Sequence, residues 1–180
     1  MADDVITLIM ADHRKVEELF TRLEAGKGDA RAIVAELFAL LTAHARAEED
    51  IVYPGLDAHH GLVEHKEAEV LLNTLKRAEP GSAAFVNAHK LLAASVGHHV
   101  QEEESTLLPL LARTTDAKRL RSLATAFRQR REQELRALTT PTDGRLTKAE
   151  LYERAQQAGI SGRSRMTKKE LVKALADARP

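Results

Sequence analysis

One motif occurs twice in this chain, and it constrains the fold more than any other feature of the sequence. The first copy begins at His44, with Glu48 four residues later, Glu49 beside it and Pro54 ten residues after the histidine. The second copy begins at His99 and has the same spacing, with every matched position offset by 55 residues. Chance rarely preserves a histidine, two glutamates and a proline together, so the chain contains an internal duplication.

The spacing within the motif is helical. Residues four apart project within about 40° of each other on an α-helix, so each histidine shares a face with its glutamate and forms half of a metal site. The duplication extends upstream, because residues 12–23 align with residues 64–75 on an acid, a histidine, a basic residue and a second glutamate. The two repeats therefore predict four helices around a centre for two metal ions.

The alternative is a polar core without a metal. A single histidine on an apolar helix face is usually a hydrogen-bonded core residue. Four inward histidines are harder to explain in this way, because each unpaired buried polar group costs about 1–3 kcal/mol, which a bound metal would offset. The other histidines, which we do not expect to bind metal, are His59, His60, His89 and His98.

The composition narrows the chemistry. The chain of 180 residues contains no cysteine, which excludes disulfides, zinc–thiolate sites and cysteine-bound iron–sulfur clusters and leaves histidine and carboxylates as strong ligands. The leucine- and alanine-rich sequence favours helices, and no stretch is suitable for a signal peptide or membrane span. We expect a cytoplasmic protein with no membrane contact.

The predicted fold is all-α. Residues 1–138 are expected to form an antiparallel four-helix bundle with a fifth amphipathic helix packed on it, beginning at Asp116. Residues 139–145 are predicted to be a linker. Residues 146–180 are predicted to be a separate unit of helix, extended loop and helix, and residues 145–180 carry nine basic against four acidic side chains. Thr147-Lys148-Ala149-Glu150 and Thr167-Lys168-Lys169-Glu170 are both capping boxes.

Residues 1–138 resemble the hemerythrin HHE family, because all four predicted helices supply the family's ligand pattern in order. The resemblance implies a non-haem centre of two iron ions, with Glu48 and Glu103 as bridging ligands. A seventh ligand would be Glu69 or Glu17, and we favour Glu69 because it stands where oxygen carriers have a second third-helix histidine. The predicted metal ligands are His13, His44, Glu48, His65, Glu69, His99 and Glu103.

The resemblance to hemerythrin-like proteins of actinobacteria implies chemistry with peroxide, oxygen or nitric oxide. A carboxylate at position 69 makes the site harder and more anionic, which argues against reversible oxygen transport. The two hypotheses are a catalase-like or oxygen-activating di-iron protein and a sensor or store for iron, oxygen or nitric oxide. Tyr53 is predicted to be an interfacial residue at a helix end, or else a supporting hydrogen-bond donor or extra ligand.

The C-terminal unit resembles the small N-terminal domain of the transcription terminator Rho and related SAP-like modules. The resemblance rests on three segments, residues 146–151, 159–160 and 166–175. Such modules often bind nucleic acid, which implies weak, salt-sensitive contact with nucleic acid or a partner protein. The side chains available for phosphate contacts are Lys148, Arg163, Arg165, Lys168, Lys169 and Lys173.

Overall fold

The computed structural model describes residues 4–56, 58–139 and 147–178, and over these ranges the chain is helical without a strand. This confirms the all-α prediction. The chain divides into two compact units, residues 1–137 and 138–180. The α-helices are α1 (Val5–Glu24), α2 (Ala30–Ala47), α3 (His59–Arg77), α4 (Ala83–Glu102), α5 (Leu108–Thr114), α6 (Ala117–Thr139), α7 (Lys148–Gln157) and α8 (Lys168–Asp177).

Short polar side chains begin the bundle helices. Asp4 accepts a hydrogen bond from the backbone of the first turn of α1, and Asp29 and Ser82 do the same for α2 and α4. Asp116 accepts one from Arg119 at the start of α6. The α6 helix therefore begins beside Asp116, where the fifth helix was predicted to begin.

The first four helices close into a bundle, in which α1 contacts α2 and α4, and α3 contacts α2 and α4. One apolar cluster fills one end of the bundle around Leu19, Leu37 and Leu92. A second cluster packs α6, through Leu123 and Phe127, against the start of α1 and the segment after α2. The predicted fifth helix therefore covers the bundle next to the repeated motif.

Both copies of the motif leave regular α-helical geometry at the glutamate. Residues Glu48–Val52 and Glu103–Leu107 form π-helical turns, which the sequence did not predict. The following prolines lie in the 3₁₀ turn Tyr53–Gly55 and near the start of α5. Proline has no N–H for the helical ladder and clashes with the preceding turn, so a widened turn before it lets the chain continue.

The second unit has a small core of its own. Leu151 and Ala155 of α7 pack with Leu171 and Leu175 of α8. Both capping boxes form, since Glu150 and Glu170 each accept from the threonine three residues earlier and each threonine caps its helix. Leu146 and residues 140–145, which include most of the predicted linker, lie outside the described residues.

Within the described part of the chain, no helix combines the length and apolar character needed to cross a membrane.

Candidate metal centre

Four histidines, one from each bundle helix, meet at the centre, and each has its Nδ1 atom beside a carboxylate. The Nδ1 atom of each ring contacts a carboxylate, which can only accept, so Nδ1 carries the hydrogen. In a neutral ring the Nε2 atom then keeps its lone pair, which is the form that binds metal. The Nδ1 pairs are His13–Glu104 (2.8 Å), His44–Asp12 (3.2 Å), His65–Glu49 (3.0 Å) and His99–Glu64 (2.8 Å).

The supporting carboxylates follow the duplication. Asp12 and Glu64 each precede a central histidine in sequence, yet each orients the histidine of the neighbouring helix in its own repeat. Glu49 and Glu104 instead orient the histidine of the opposite repeat. The four contacts therefore tie the two repeats together and fix the ring orientations on both sides of the centre.

The inner atoms converge without ordinary hydrogen bonds. The carboxylate of Glu48 lies between two rings, with its oxygens 3.1 Å from His44 Nε2 and 3.3 Å from His65 Nε2. Glu103 Oε2 lies 3.2 Å from His13 Nε2 and 3.9 Å from His99 Nε2. These atoms form two groups with metal-ligand spacing, namely His13, His44, Glu48 and Glu103, and Glu48, His65 and His99.

These donors fit a cation better than they fit one another. Among the described residues of this centre, five fully buried atoms have no hydrogen-bond partner, namely His13 Nε2, His44 Nε2, Glu48 Oε1, Glu48 Oε2 and Glu103 Oε2. Leaving such groups unpaired costs about 1–3 kcal/mol each. The Nε2 atoms of His65 and His99 also face each other at 3.3 Å, where two lone pairs repel unless a proton or a metal ion lies between them.

The charges around these donor atoms also favour a positive charge at the centre. Burial lowers the pKa of the His44 imidazole, but the Glu48 and Asp12 carboxylates outweigh it and raise that pKa to about 10. For His65, burial is likewise outweighed by Glu48 and Glu49, and its pKa rises to about 9. Burial and the neighbouring Glu48 carboxylate raise the pKa of Glu103, because two negative charges meet in an apolar surrounding.

Six of the seven predicted ligands are brought together, and Glu69 is not among them. Its side chain is 53% exposed and accepts a hydrogen bond from Lys66. The alternative, Glu17, is also exposed and pairs with Arg14. The half-buried Ala68 packs against the apolar cluster of the bundle instead, so the small residue before Glu69 takes the inward position.

Tyr53 lies inside the centre rather than at a solvent interface. Its hydroxyl donates to Glu103 Oε1 at 3.4 Å and lies 3.5 Å from His65 Nε2, and its ring stacks on the His65 ring. Gly61 permits this approach, because a Cβ atom there would lie 2.9 Å from the Tyr53 hydroxyl. Burial and the carboxylates of Glu48 and Glu103 raise the pKa of Tyr53, so the hydroxyl stays protonated.

A cavity of about 110 Å³ adjoins the histidines between α2 and α3. Ring atoms and apolar side chains line its inner part, and Lys66 and Glu69 lie at its exposed end. A cavity needs only about 10–15 Å³ to hold one water, so this cavity has room for several small molecules. The exposed end gives such molecules a route to the centre.

The polar face of α6 has a structural role. Residues 128–132 form a run of charged and polar side chains, and within it Arg131 donates to Asp12 through two nitrogens at 2.6 and 2.7 Å. Asp12 is nearly buried and orients His44, so α6 helps to position a central histidine from outside the bundle. The sequence did not indicate a role for Arg131. The acids Asp12 and Glu64, which precede His13 and His65, could be recognised because they occupy matching positions in the two repeats.

Comparison with known proteins agrees with this geometry. Residues 4–111 match the model of the hemerythrin HHE cation binding domain family. A DNA nickase of Nostoc sp. is 31% identical over 130 residues, an alignment that covers 67% of this chain. The chain spans 37% of the length of that protein. No solved structure matches the chain.

Proposed function

Because the chain belongs to the hemerythrin HHE cation-binding family, we propose that its bundle holds two non-haem iron ions and reacts with peroxide, oxygen or nitric oxide. The reaction that we favour is the catalase-like conversion of two hydrogen peroxide molecules to two waters and one oxygen molecule. The observation that best supports a metal centre open to small molecules is the set of buried, unpartnered ring nitrogens and carboxylate oxygens beside a cavity. The proposed ligands are His13, His44, Glu48, His65, His99 and Glu103.

The ligand set suits iron. Imidazole and carboxylate donors in a helical-bundle core are the usual environment of di-iron centres. Glu48 is common to both groups of ligand atoms, and Glu103 Oε2 lies near a histidine of each group. We therefore assign both carboxylates as bridges between the two ions.

The proposed protein ligands leave coordination positions open at the two ions. Neither Glu17 nor Glu69 points its carboxylate inward, and α3 contributes one histidine rather than two. Bound iron supplies a redox couple and an open coordination position for a small oxygen- or nitrogen-containing molecule. Because Glu69 lies outside the site, it adds no negative charge there, and the expectation that a more anionic site disfavours reversible oxygen transport does not apply. The position that a second α3 histidine would fill is left open instead.

The surrounding residues select and orient the substrate. The cavity admits molecules of a few atoms from the α2–α3 side, and its apolar lining, including Val16, Leu72 and Val96, limits the water that enters. The protonated Tyr53 hydroxyl lies at the inner donors and is able to donate a hydrogen bond to an oxygen held there. The carboxylates on Nδ1 hold the rings in place and strengthen them as ligands.

The second candidate is a sensor or store in which the bundle binds iron, oxygen or nitric oxide without turnover. The observation that favours it is the separate C-terminal unit, with its own core and exposed basic side chains. A unit of this kind suits contact with nucleic acid or a partner protein that reports the state of the bundle. Arg163 is less available for such contact than the lysines, because it packs over Tyr152 and donates to Ile160 O.

Oxygen release separates the two candidates. Full-length protein produced with iron is mixed with hydrogen peroxide in an oxygen electrode, beside His44→Ala and Glu69→Gln variants of matched concentration. We expect oxygen evolution from the unchanged chain and from Glu69→Gln, and loss of both iron and oxygen evolution in His44→Ala. An iron-loaded protein that consumes no peroxide would reject the catalase-like reaction and leave the binding function.

A further inference from the structure

A second set of histidine–glutamate pairs lies outside the bundle centre. His60 and Glu64 are four residues apart on α3, and His98 and Glu102 are four residues apart on α4. Such pairs share a helix face, and α3 and α4 pack against each other. The two pairs therefore face each other across the α3–α4 contact, on the outer side of His99.

Their donor atoms come close together. His60 Nε2 lies 3.5 Å from Glu64 Oε1 and 3.4 Å from Glu102 Oε2, and donor atoms of these three residues all lie within 4.8 Å of one another. His98 Nδ1 lies 2.9 Å from Glu64 Oε1. The imidazole of His60 is 64% exposed, whereas Glu64 is nearly buried. Solvent therefore reaches the three residues from the His60 side, while packing holds Glu64 in place.

We propose that His60, Glu64 and Glu102 form a peripheral binding site for a divalent transition-metal ion, separate from the inner centre. One imidazole and two carboxylates are ligands that Zn²⁺, Fe²⁺ and Mn²⁺ accept. The remaining coordination positions face solvent and His98. Exposed ion pairs by themselves contribute little stability, so packing does not account for the convergence of these groups from two helices.

Glu64 links the peripheral site to the inner centre. Its Oε2 accepts the hydrogen bond of His99 Nδ1 at 2.8 Å, while its Oε1 faces His60 and His98. The repeat counterpart, Asp12, has Arg131 in the corresponding supporting position. In the second repeat a bound cation would therefore supply the positive charge that the arginine supplies in the first.

The test counts Zn²⁺ ions bound by tag-free, full-length protein produced with iron. Isothermal titration gives the number of Zn²⁺ equivalents, and metal analysis before and after gives the iron retained. The variant is His60→Ala with Glu102→Gln, both at exposed positions where the fold tolerates substitution. The matched control is His59→Ala, which removes an adjacent exposed imidazole outside the group.

We expect the unchanged chain and His59→Ala to bind one more Zn²⁺ per chain than the double variant, with equal iron content in all three. Equal Zn²⁺ binding by the double variant and the unchanged chain would overturn the proposal. Because the result is a difference between variants, it holds whether the inner centre contains iron, zinc or no metal. Absence of inner iron in all three proteins would instead count against the proposed function.

Discussion

Glu104 Oε1 lies 2.8 Å from His13 Nδ1, although the two residues belong to different repeats and are 91 positions apart. The equivalent contact joins Glu49 and His65 in the opposite direction. Each repeat thus orients one central histidine of the other. Both candidate groups of donor atoms also draw residues from both repeats, so neither repeat forms the centre alone.

This contact gives the first prediction. Glu104→Ala removes the acceptor that fixes the His13 ring, and loss of such a partner typically lowers metal affinity about 10–100-fold. The matched control is Glu17→Ala, because Arg14 contacts both glutamates but Glu17 touches no histidine among the described residues. Competition with a chelator measures affinity in the full chain. Equal affinities for the two variants would show that the cross-repeat contact does not support the metal.

Gly61 supplies a stability test of the Tyr53 position. In Gly61→Ala the new Cβ meets the Tyr53 hydroxyl and ring at 2.9–3.2 Å, and such overpacking costs about 1–3 kcal/mol. At Gly97, also within a helix, a Cβ meets no described atom within 4 Å, so alanine there adds about 0.5–1 kcal/mol of stability. Urea unfolding of both variants should show a lower free energy of unfolding for Gly61→Ala and a higher one for Gly97→Ala. Stabilisation by Gly61→Ala would contradict the inward position of Tyr53.

The histidine pKa values predict how stability depends on pH without metal. His44 and His65 have folded pKa values raised from 6.5 to about 10 and about 9, so they contribute stability that is fully present below 6.5. That stability is lost as the pH rises through about 9 to 10. Thermal unfolding of metal-free protein at several pH values measures this loss. A melting temperature that rises across the same range would contradict the assignment.

We predict that the basic side chains of the second unit bind nucleic acid weakly. Exchanging Arg165, Lys168 and Lys169 for glutamine should reduce the slope of log affinity against log salt on duplex DNA, by up to about 0.9 for each phosphate that is no longer neutralised. A charge-matched control changes three exposed bundle residues, Lys27, Lys90 and Lys118, to glutamine. Fluorescence anisotropy at two salt concentrations compares them. The same slope for both variants would show that the second unit makes no specific contribution.

Helical spacing predicted the inward histidines but not everything around them. The four-residue interval places His44 and Glu48 on one face, and that geometry depends only on the local chain. Glu69 was favoured from the family resemblance, but its side chain is exposed, and the neighbouring Ala68 packs against the bundle core instead. Contacts between distant residues, such as Arg131 with Asp12, leave no local periodicity and were found only in the folded structure.

The π-helical turns mark a similar limit. Regular α-helical spacing leaves Glu49 and Glu104 one residue away from the metal-facing side, as supporting or solvated groups. In the structure a π-helical turn begins at Glu48 in one motif and at Glu103 in the other. The carboxylates of Glu49 and Glu104 then contact histidines across the bundle. The duplication therefore preserves a deviation from helical geometry as well as a set of residues.

The most direct test of the central claim is the iron content of full-length protein produced with iron, measured beside Glu48→Gln. Glu48 is fully buried and common to both groups of ligand atoms, so its loss affects both ions. We predict two iron ions per unchanged chain, with the visible absorption of a ferric pair, and loss of both signals in the variant. An iron content near zero in the unchanged chain, or equal iron in the two proteins, would contradict it.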